Sequence, residues 1–360
     1  MAIAGAGLAG RMLAWRLLRA GVRVTLVDSR ARGALDTASM TAAAMLSPLA
    51  EMAVSDAVVY ALGQESMHLW PLWMQQMQAE RDAAAGQALE PLYFRQSGTL
   101  VLAHAADRSA LAHFTRLLQH KLQPAALAQV QALDAAALAE LEPALAGRFA
   151  DGVFLRGEGQ LANEEWMDAL AHEISRQGVR WHEGVQVARI QAHSVQGQDA
   201  SGRAWEIAAD VCVDARGAGS KGALPGVRGV RGEVLRVHCA GVQLRRPVRL
   251  MHPRYQLYIA PRPQQQFVVG ATELESEDTG AMTLRSMLEL GSALYSLHPA
   301  FGEARVQRLG AALRPALDDD RPLCTRHDGV WHINGLYRHG YLCAPALVQQ
   351  LTTQILEQCV

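Results

Sequence analysis

The densest chemical signal in the chain lies in its first thirty residues. Gly5, Gly7 and Gly10 stand at G-x-G-x-x-G spacing, and Asp28 follows 18 positions after the last of them. Each residue type has a task in holding a dinucleotide. Gly5 permits a tight turn, Gly7 lets backbone approach a pyrophosphate, and Gly10 lets helix and strand pack closely. A helix that starts at this loop offers free N–H groups and the positive end of its dipole to the phosphates. Asp28 is placed to accept hydrogen bonds from a ribose hydroxyl, which disfavours the 2′-phosphate of NADP. This stretch alone leaves FAD and NAD open.

These residues need a βαβ unit to position them, and the surrounding pattern supplies one. The apolar run 1–4 reads as a buried strand. Met12, Leu13, Trp15, Leu17 and Leu18 recur at helical spacing, and 22–27 reads as the second strand. Residues 36–48, small and hydroxyl-rich, suit a loop lying against a ligand or, on composition alone, an alanine-rich helix start. Ser55-Asp56 is expected to cap a helix of some 25 residues whose Met67, Trp70, Trp73, Met74 and Met77 pack in the core, with a kink expected at Pro71. Further on, 93–103 reads as a strand or hairpin, 107–122 and 133–141 as helices, and 153–155 as a strand. A helix is expected over 163–177, paired strands over 180–190 around Gly184, and a hairpin tip over 194–203. The strand at 211–213 leads into a glycine turn, Asp214 to Ser220, of the kind that sits against a cofactor. From Gly232 the chain turns mostly β, with a helix at 283–297, then a final strand at 330–333, a glycine and a C-terminal helix.

Composition narrows the class. With 360 residues, 50% hydrophobic and 19% charged, the chain reads as a globular protein of about two domains. A net charge of −1 gives no electrostatic reason to expect nucleic acid or an anionic membrane as a partner. No apolar run reaches the ~18 residues of a membrane span. The five cysteines lack paired spacing, which suggests neither a metal site nor a disulfide framework and fits a reducing, cytoplasmic setting. The first strand begins at the N-terminus, so no targeting peptide is expected.

Several separated segments carry a family resemblance: GAGLAG (5–10) with Asp28, SMTAAAMLSP (39–48), RGE (231–233), YIAPR followed by VVGAT (258–272), ALRP (312–315) and GLYRHGYLCAP (335–345). In this order and spacing the chain resembles the D-amino-acid-oxidase-like flavoproteins, most closely the glycine oxidases associated with thiamine biosynthesis. The resemblance implies an α/β fold: an FAD-binding Rossmann-like domain of the glutathione-reductase type, over 1–85, 150–226 and 310–360. It is interleaved with an α+β substrate domain on a mostly antiparallel sheet, over 86–149 and 227–309.

The resemblance also implies non-covalent FAD. Gly5, Gly7, Leu8, Ala9 and Gly10 would hold the pyrophosphate; Asp28, with Ser29 beside it, would hold the adenosine ribose. Ala38, Ser39, Ala43, Ala44 and Met45 would lie along the pyrophosphate and flavin ring, and Val185 would meet adenine through its backbone. Gly217 belongs to the turn against the cofactor. Arg338, His339, Gly340, Tyr341 and Leu342 would line the ring. Two departures stand out: Ala44 replaces a glycine of the family's AAGML, and Ser47 replaces another small residue.

The implied chemistry is oxidative deamination of glycine or a small amine-bearing acid. Hydride passes from the α-carbon to flavin N5, molecular oxygen is the acceptor, and the products are an imino acid and hydrogen peroxide. Orientation is the main task of the side chains. By the resemblance, Arg314 binds the substrate carboxylate, Tyr258 assists through its hydroxyl, and Arg338 lies at the flavin and substrate site. An arginine fork suits a carboxylate. Alternative substrates are sarcosine, D-amino acids or a larger secondary amine; a non-catalytic flavoprotein subunit is the reading from another class, and the three retained residues argue against it. Relatives are often oligomeric, so a homo-oligomer is admitted. His339 would tune the ring's electrostatics or satisfy a backbone group. Glu273 would either face the pocket and favour a second amine or be a solvated acid at a strand end. A strand's period of two sets Tyr258 apart from Tyr255, with His252 near the strand start and Arg254 between.

Overall fold

The computed structural model describes residues 1–251 and 256–358. His252, Arg254, Tyr255 and Cys359 lie outside the described residues. Two sheets dominate. In the first, six strands run in the order Leu323–His327, Val330–Asn334, Cys212–Asp214, Ala2–Ala4, Thr25–Val27, Arg180–His182. All neighbours are parallel except the outermost pair, Leu323–His327 with Val330–Asn334. Ala2–Ala4, Thr25–Val27 and Cys212–Asp214 are buried along their whole length, as strands covered on both faces must be. The helices Leu8–Arg19 and Gly340–Gln358 pack together, and Gly340–Gln358 also packs on Ala57–Ala85. The carboxyl ends of the central strands run into Gly5, Asp28 and the turn after Asp214, where open α/β sheets bind ligands.

The second sheet has eight strands, in the order Arg305–Ala316, Arg228–His238, Gln266–Gly270, Gln256–Arg262, Val248–Met251, Thr99–Ala103, Asp151–Leu155, Val130–Asp134. Every pairing is antiparallel except Val248–Met251 with Thr99–Ala103. Pro315 sits in the edge strand Arg305–Ala316, where a missing N–H is tolerated. Asp151–Leu155, which lies beyond the expected boundary at 150, belongs to this sheet, and Arg305–Ala316 runs across the one at 310.

The tryptophans anchor the core of the first layer. Trp15 meets Trp73 and Trp166 edge-on, with ring centroids 5.7 and 5.9 Å apart, and Trp166 meets Trp70 at 5.2 Å. Met67, Trp70, Trp73, Met74 and Met77 are all buried, so the stripe on the long helix is core packing. That helix, Ala57–Ala85, contains Pro71 without ending there and closes on Gly86 in the left-handed region at φ 66°. At its start the Asp56 side chain accepts the Val58 N–H at 2.8 Å and pairs with Arg321. Asp56→Ala is expected to lower stability by about 1 kcal/mol, the usual loss of a helix N-cap; urea denaturation of the two proteins checks it.

Three local expectations are corrected. Leu133 belongs to the strand Val130–Asp134, and the helix starts at Ala135, because the Asp134 carboxylate caps it through the Ala137 N–H at 2.8 Å. Residues 180–190 do not pair with each other. Arg180–His182 joins the first sheet, Gly184 turns at φ 72°, and Gln186–Gln191 opens a separate three-stranded meander. Residues 36–48 are not all loop: Ala38–Thr41 forms one helical turn capped by Thr37, and Met45–Leu46 pairs with Gly159–Leu161. Among the described residues no helix is long and apolar enough to cross a membrane. Nor does any group of three or more His, Cys, Asp or Glu there have the arrangement of a metal site.

Candidate active site

A cavity of about 1040 Å³ runs from the glycine turn to the strands of the larger sheet. It is at the upper end of the ~300–1,000 Å³ common for ligand pockets. Every site residue expected from the sequence lines it except Gly10, which sits behind it.

The three glycines do different jobs. Gly5 has φ +102°, and a Cβ there would lie 2.4 Å from the Ala215 carbonyl oxygen. A Cβ on Gly10 would lie 1.8 Å from the Gly5 carbonyl oxygen, so Gly10 lets the helix close onto the turn. A Cβ on Gly7 would meet nothing within 4 Å: this position opens to the cavity. Gly7 is also the N-cap of Leu8–Arg19 and makes no side-chain cap, so the helix N-terminus is left for a ligand. Asp28 accepts the Ala6 N–H at 2.5 Å and the Arg30 N–H at 2.8 Å, which ties it to the glycine turn. The Val185 N–H is held by the Asp28 carbonyl at 3.0 Å, which leaves its carbonyl and side chain for any ligand contact. Gly217, at φ 58°, accepts the Asn334 side-chain amide at 3.0 Å through its carbonyl. Ala44 takes φ 46°, a left-handed conformation that favours glycine, at the position where the family motif has one.

At the far end of the cavity, charged side chains converge from distant segments. Glu51, on the short helix Pro48–Met52, pairs with Arg249 at 2.6 Å. It also faces His339 Nδ1 at 3.4 Å and Arg338 at 3.9 Å. Burial would raise the Glu51 carboxyl, but Arg249, His339 and Arg338 outweigh it and hold it down at about 2. His339 is buried, contacts the Ser55 hydroxyl at 3.2 Å and is pushed down to about 4 by burial, so it is neutral at neutral pH. Arg338 pairs with Glu273 at 2.9 Å, and Glu273 accepts a short hydrogen bond from the Tyr337 hydroxyl. Glu273 therefore lines the cavity with its charge already matched.

Arg314 differs from these. Its Nη1 donates to the Thr272 carbonyl at 3.1 Å, and its guanidinium lies over Gly232, where a Cβ would stand 2.4 Å from Cζ. Tyr258 lies beside it and accepts its side-chain hydrogen bond; burial raises the Tyr258 hydroxyl above the ordinary phenol range. Among the described residues Arg314 makes no ion pair, whereas Arg249, Arg338, Arg216 and Arg30, which line the same cavity, each have a carboxylate, and Arg11, which has none, is taken up by the carbonyls of Ala6, Met167 and Arg32. The sequence reading missed Glu51, Arg249 and Tyr337. A usable signal existed for one: Arg249 stands directly across from Tyr258 in the strand pair.

Behind the cavity, Glu158 is fully buried and accepts the Ala50 N–H at 2.8 Å. Burial pushes its carboxyl up to about 7, against the pull of Arg249. An unfolded glutamate ionises near roughly 4.3. The folded state thus keeps this proton from about there to about pH 7, and the contribution of Glu158 to stability falls as pH rises across that window. Glu158→Gln is expected to flatten this part of the pH profile, as thermal melts at stepped pH would show.

Residues 1–354 match the family model described as FAD dependent oxidoreductase. A putative thiamine biosynthesis oxidoreductase ThiO of Rhizobium etli is 39% identical over 355 residues, 98% of this chain and 95% of that protein. Among solved structures, a glycine oxidase from Bacillus cereus superposes with TM-score 0.82 at 23% identity, covering 99% of this chain and 94% of that one. An iminodiacetate oxidase from Chelativorans superposes with TM-score 0.80 at 21% identity, covering 99% and 95%. With its nearly full-length match and the nucleotide cradle and cavity described above, the chain belongs to the FAD dependent oxidoreductase family.

Proposed function

We propose that this FAD-dependent enzyme oxidises glycine or a similarly small amine-bearing acid at its carbon–nitrogen bond. The observation that carries this reading is Arg314, a cavity arginine without an ion pair among the described residues, beside the Tyr258 hydroxyl. Gly5, Gly7, Leu8, Ala9 and Asp28 would hold the pyrophosphate and ribose, and Ala43 to Met45 with Arg338 to Leu342 would line the flavin. FAD, when bound, supplies the two-electron acceptor.

The protein's own share is binding and orientation. Arg314 takes the substrate carboxylate through a forked pair of N–H groups, and Tyr258 donates its O–H to the same group. Two anchors on one carboxylate fix where the α-carbon points. Around Arg314 stand two arginines (Arg249, Arg338) and two carboxylates (Glu51, Glu273), so the charge of Arg314 itself is the one left over. The spare positive charge matches one substrate carboxylate and disfavours a protonated amine, which is the form that must lose its proton before oxidation. The imino product then hydrolyses to the oxo acid and ammonia, and molecular oxygen takes the reducing equivalents as hydrogen peroxide. The division into an FAD-binding and a substrate-binding domain belongs to the same proposal. So does a reducing cytoplasmic setting, which Cys212, Cys239, Cys324 and Cys343, all free, would suit.

An anaerobic screen of amines and amino acids tests the reading. Bleaching of the bound flavin by glycine or a close analogue is the expected result, and no bleaching by any amino acid would sink it.

A further inference from the structure

We propose that Glu273 restricts the site to substrates with a single carboxylate, by occupying the Arg338 guanidinium that would otherwise bind a second one. The inference rests on the reading of Arg314 as the carboxylate anchor, and it assigns Glu273 a task in choosing the substrate.

The backbone brings the two arginines to one dipeptide. The Thr272 carbonyl receives Arg314, and the carboxylate of the next residue, Glu273, receives Arg338 at 2.9 Å. All four residues line the same cavity. Glu273 is held there from a second side by the Tyr337 hydroxyl. Tyr337 is buried and takes φ 43°, an uncommon conformation for a bulky residue, so its hydroxyl is presented to Glu273 by the surrounding structure. Burial would raise the Glu273 carboxyl, but Arg338 and the Tyr337 hydrogen bond outweigh it, so the group is ionised at neutral pH.

Three consequences follow from the charges. A substrate carboxylate at Arg314 finds an arginine with no ion pair of its own among the described residues, although Glu273 is near enough to feel its charge. A second carboxylate on the same substrate, reaching toward Arg338, meets an anion already seated there; the Glu273 side chain is 44% exposed, so solvent weakens the like-charge repulsion, and occupation of the Arg338 guanidinium is the larger part of the exclusion. A second amine gains little, because the Glu273 charge is matched by Arg338. The Glu51 carboxylate stands on the other side of Arg338 at 3.9 Å and reinforces the exclusion.

The test uses the holoenzyme, with acetate and malonate as ligands bearing one and two carboxylates and no amine to oxidise. Their Kd values are read from the shift they cause in the flavin absorbance. Wild type is expected to bind malonate at least about tenfold more weakly than acetate. Glu273→Gln, which keeps the shape and an acceptor for Tyr337, is expected to tighten malonate by about tenfold or more and to change acetate by less than about threefold. Glu273→Asp keeps the charge and is expected to keep the wild-type preference. In parallel, anaerobic bleaching by iminodiacetate, which is glycine carrying a second carboxymethyl arm, should be faster in Glu273→Gln than in wild type.

Equal binding of malonate and acetate by wild type would overturn the inference without any variant. So would a Glu273→Gln protein that tightens both ligands alike or neither. If no amino acid bleaches the wild-type flavin, the proposed function fails, and the acetate and malonate comparison still decides the role of Glu273.

Discussion

Arg314→Ala is expected to raise the KM for glycine by about two orders of magnitude or more, with the flavin still bound. Removing one partner of a buried, hydrogen-bonded charge pair costs roughly 2–5 kcal/mol, and each ~1.4 kcal/mol is a factor of ten. Arg314 touches the Thr272 carbonyl and Tyr258, and the glycine turn that would hold the nucleotide belongs to the other sheet. FAD retention should therefore be unaffected. Arg314→Lys should fall between the two, since an ammonium keeps the charge and loses the fork. Steady-state kinetics beside the flavin-to-protein absorbance ratio separates these outcomes. A KM unchanged by Arg314→Ala would remove this residue from the carboxylate site.

The second large effect lies at the opposite end of the cavity. Gly10→Ala forces a methyl group to within 1.8 Å of the Gly5 carbonyl oxygen, and backbone on both sides of the contact leaves nothing flexible to give way. The helix must shift off the turn, at a cost of about 1–3 kcal/mol or more, and the cradle opens with it. Gly10→Ala is expected to purify without flavin and with a lowered melting temperature. Gly7→Ala makes the contrast, because its new methyl group meets no protein atom within 4 Å. Its apoprotein should melt as wild type does, with only FAD affinity reduced, since a methyl group would stand where the pyrophosphate approaches. Thermal melts of the three apoproteins, followed by FAD titration, check both. Equal melting temperatures for Gly10→Ala and wild type would contradict the packing role.

Why some features were legible in the sequence and others were not has a physical basis. The glycine turn and Asp28 are legible because the constraint is local: backbone conformation and close approach leave few residue types that fit. The alternating and helical periods around Trp15, Trp70 and Trp166 likewise report burial directly. Glu51 and Arg249 are different. They are 198 residues apart, sit in unremarkable segments and acquire meaning only when the register sets Arg249 across from Tyr258. Glu273 was readable as an acid after a strand; it is both exposed and at the cavity, tied there by Tyr337 and Arg338, some 65 residues away. The strand at Val130–Asp134 was read in part as helix because its apolar residues are few and the adjoining alanines carry the helical pattern; pairing with Asp151–Leu155 decided it. Edges of sheets, whose residues are only half buried, are where periodicity says least.

In the proposed function, one arginine anchors a substrate carboxylate while the neighbouring amine carbon is oxidised. Its most direct test compares anaerobic flavin reduction by glycine with that by methylamine, the amine left when the carboxylate is removed. Glycine is expected to bleach the wild-type flavin, and methylamine at the same concentration is expected to leave it oxidised. Bleaching by methylamine as fast as by glycine, or none by glycine and its small analogues, would contradict it.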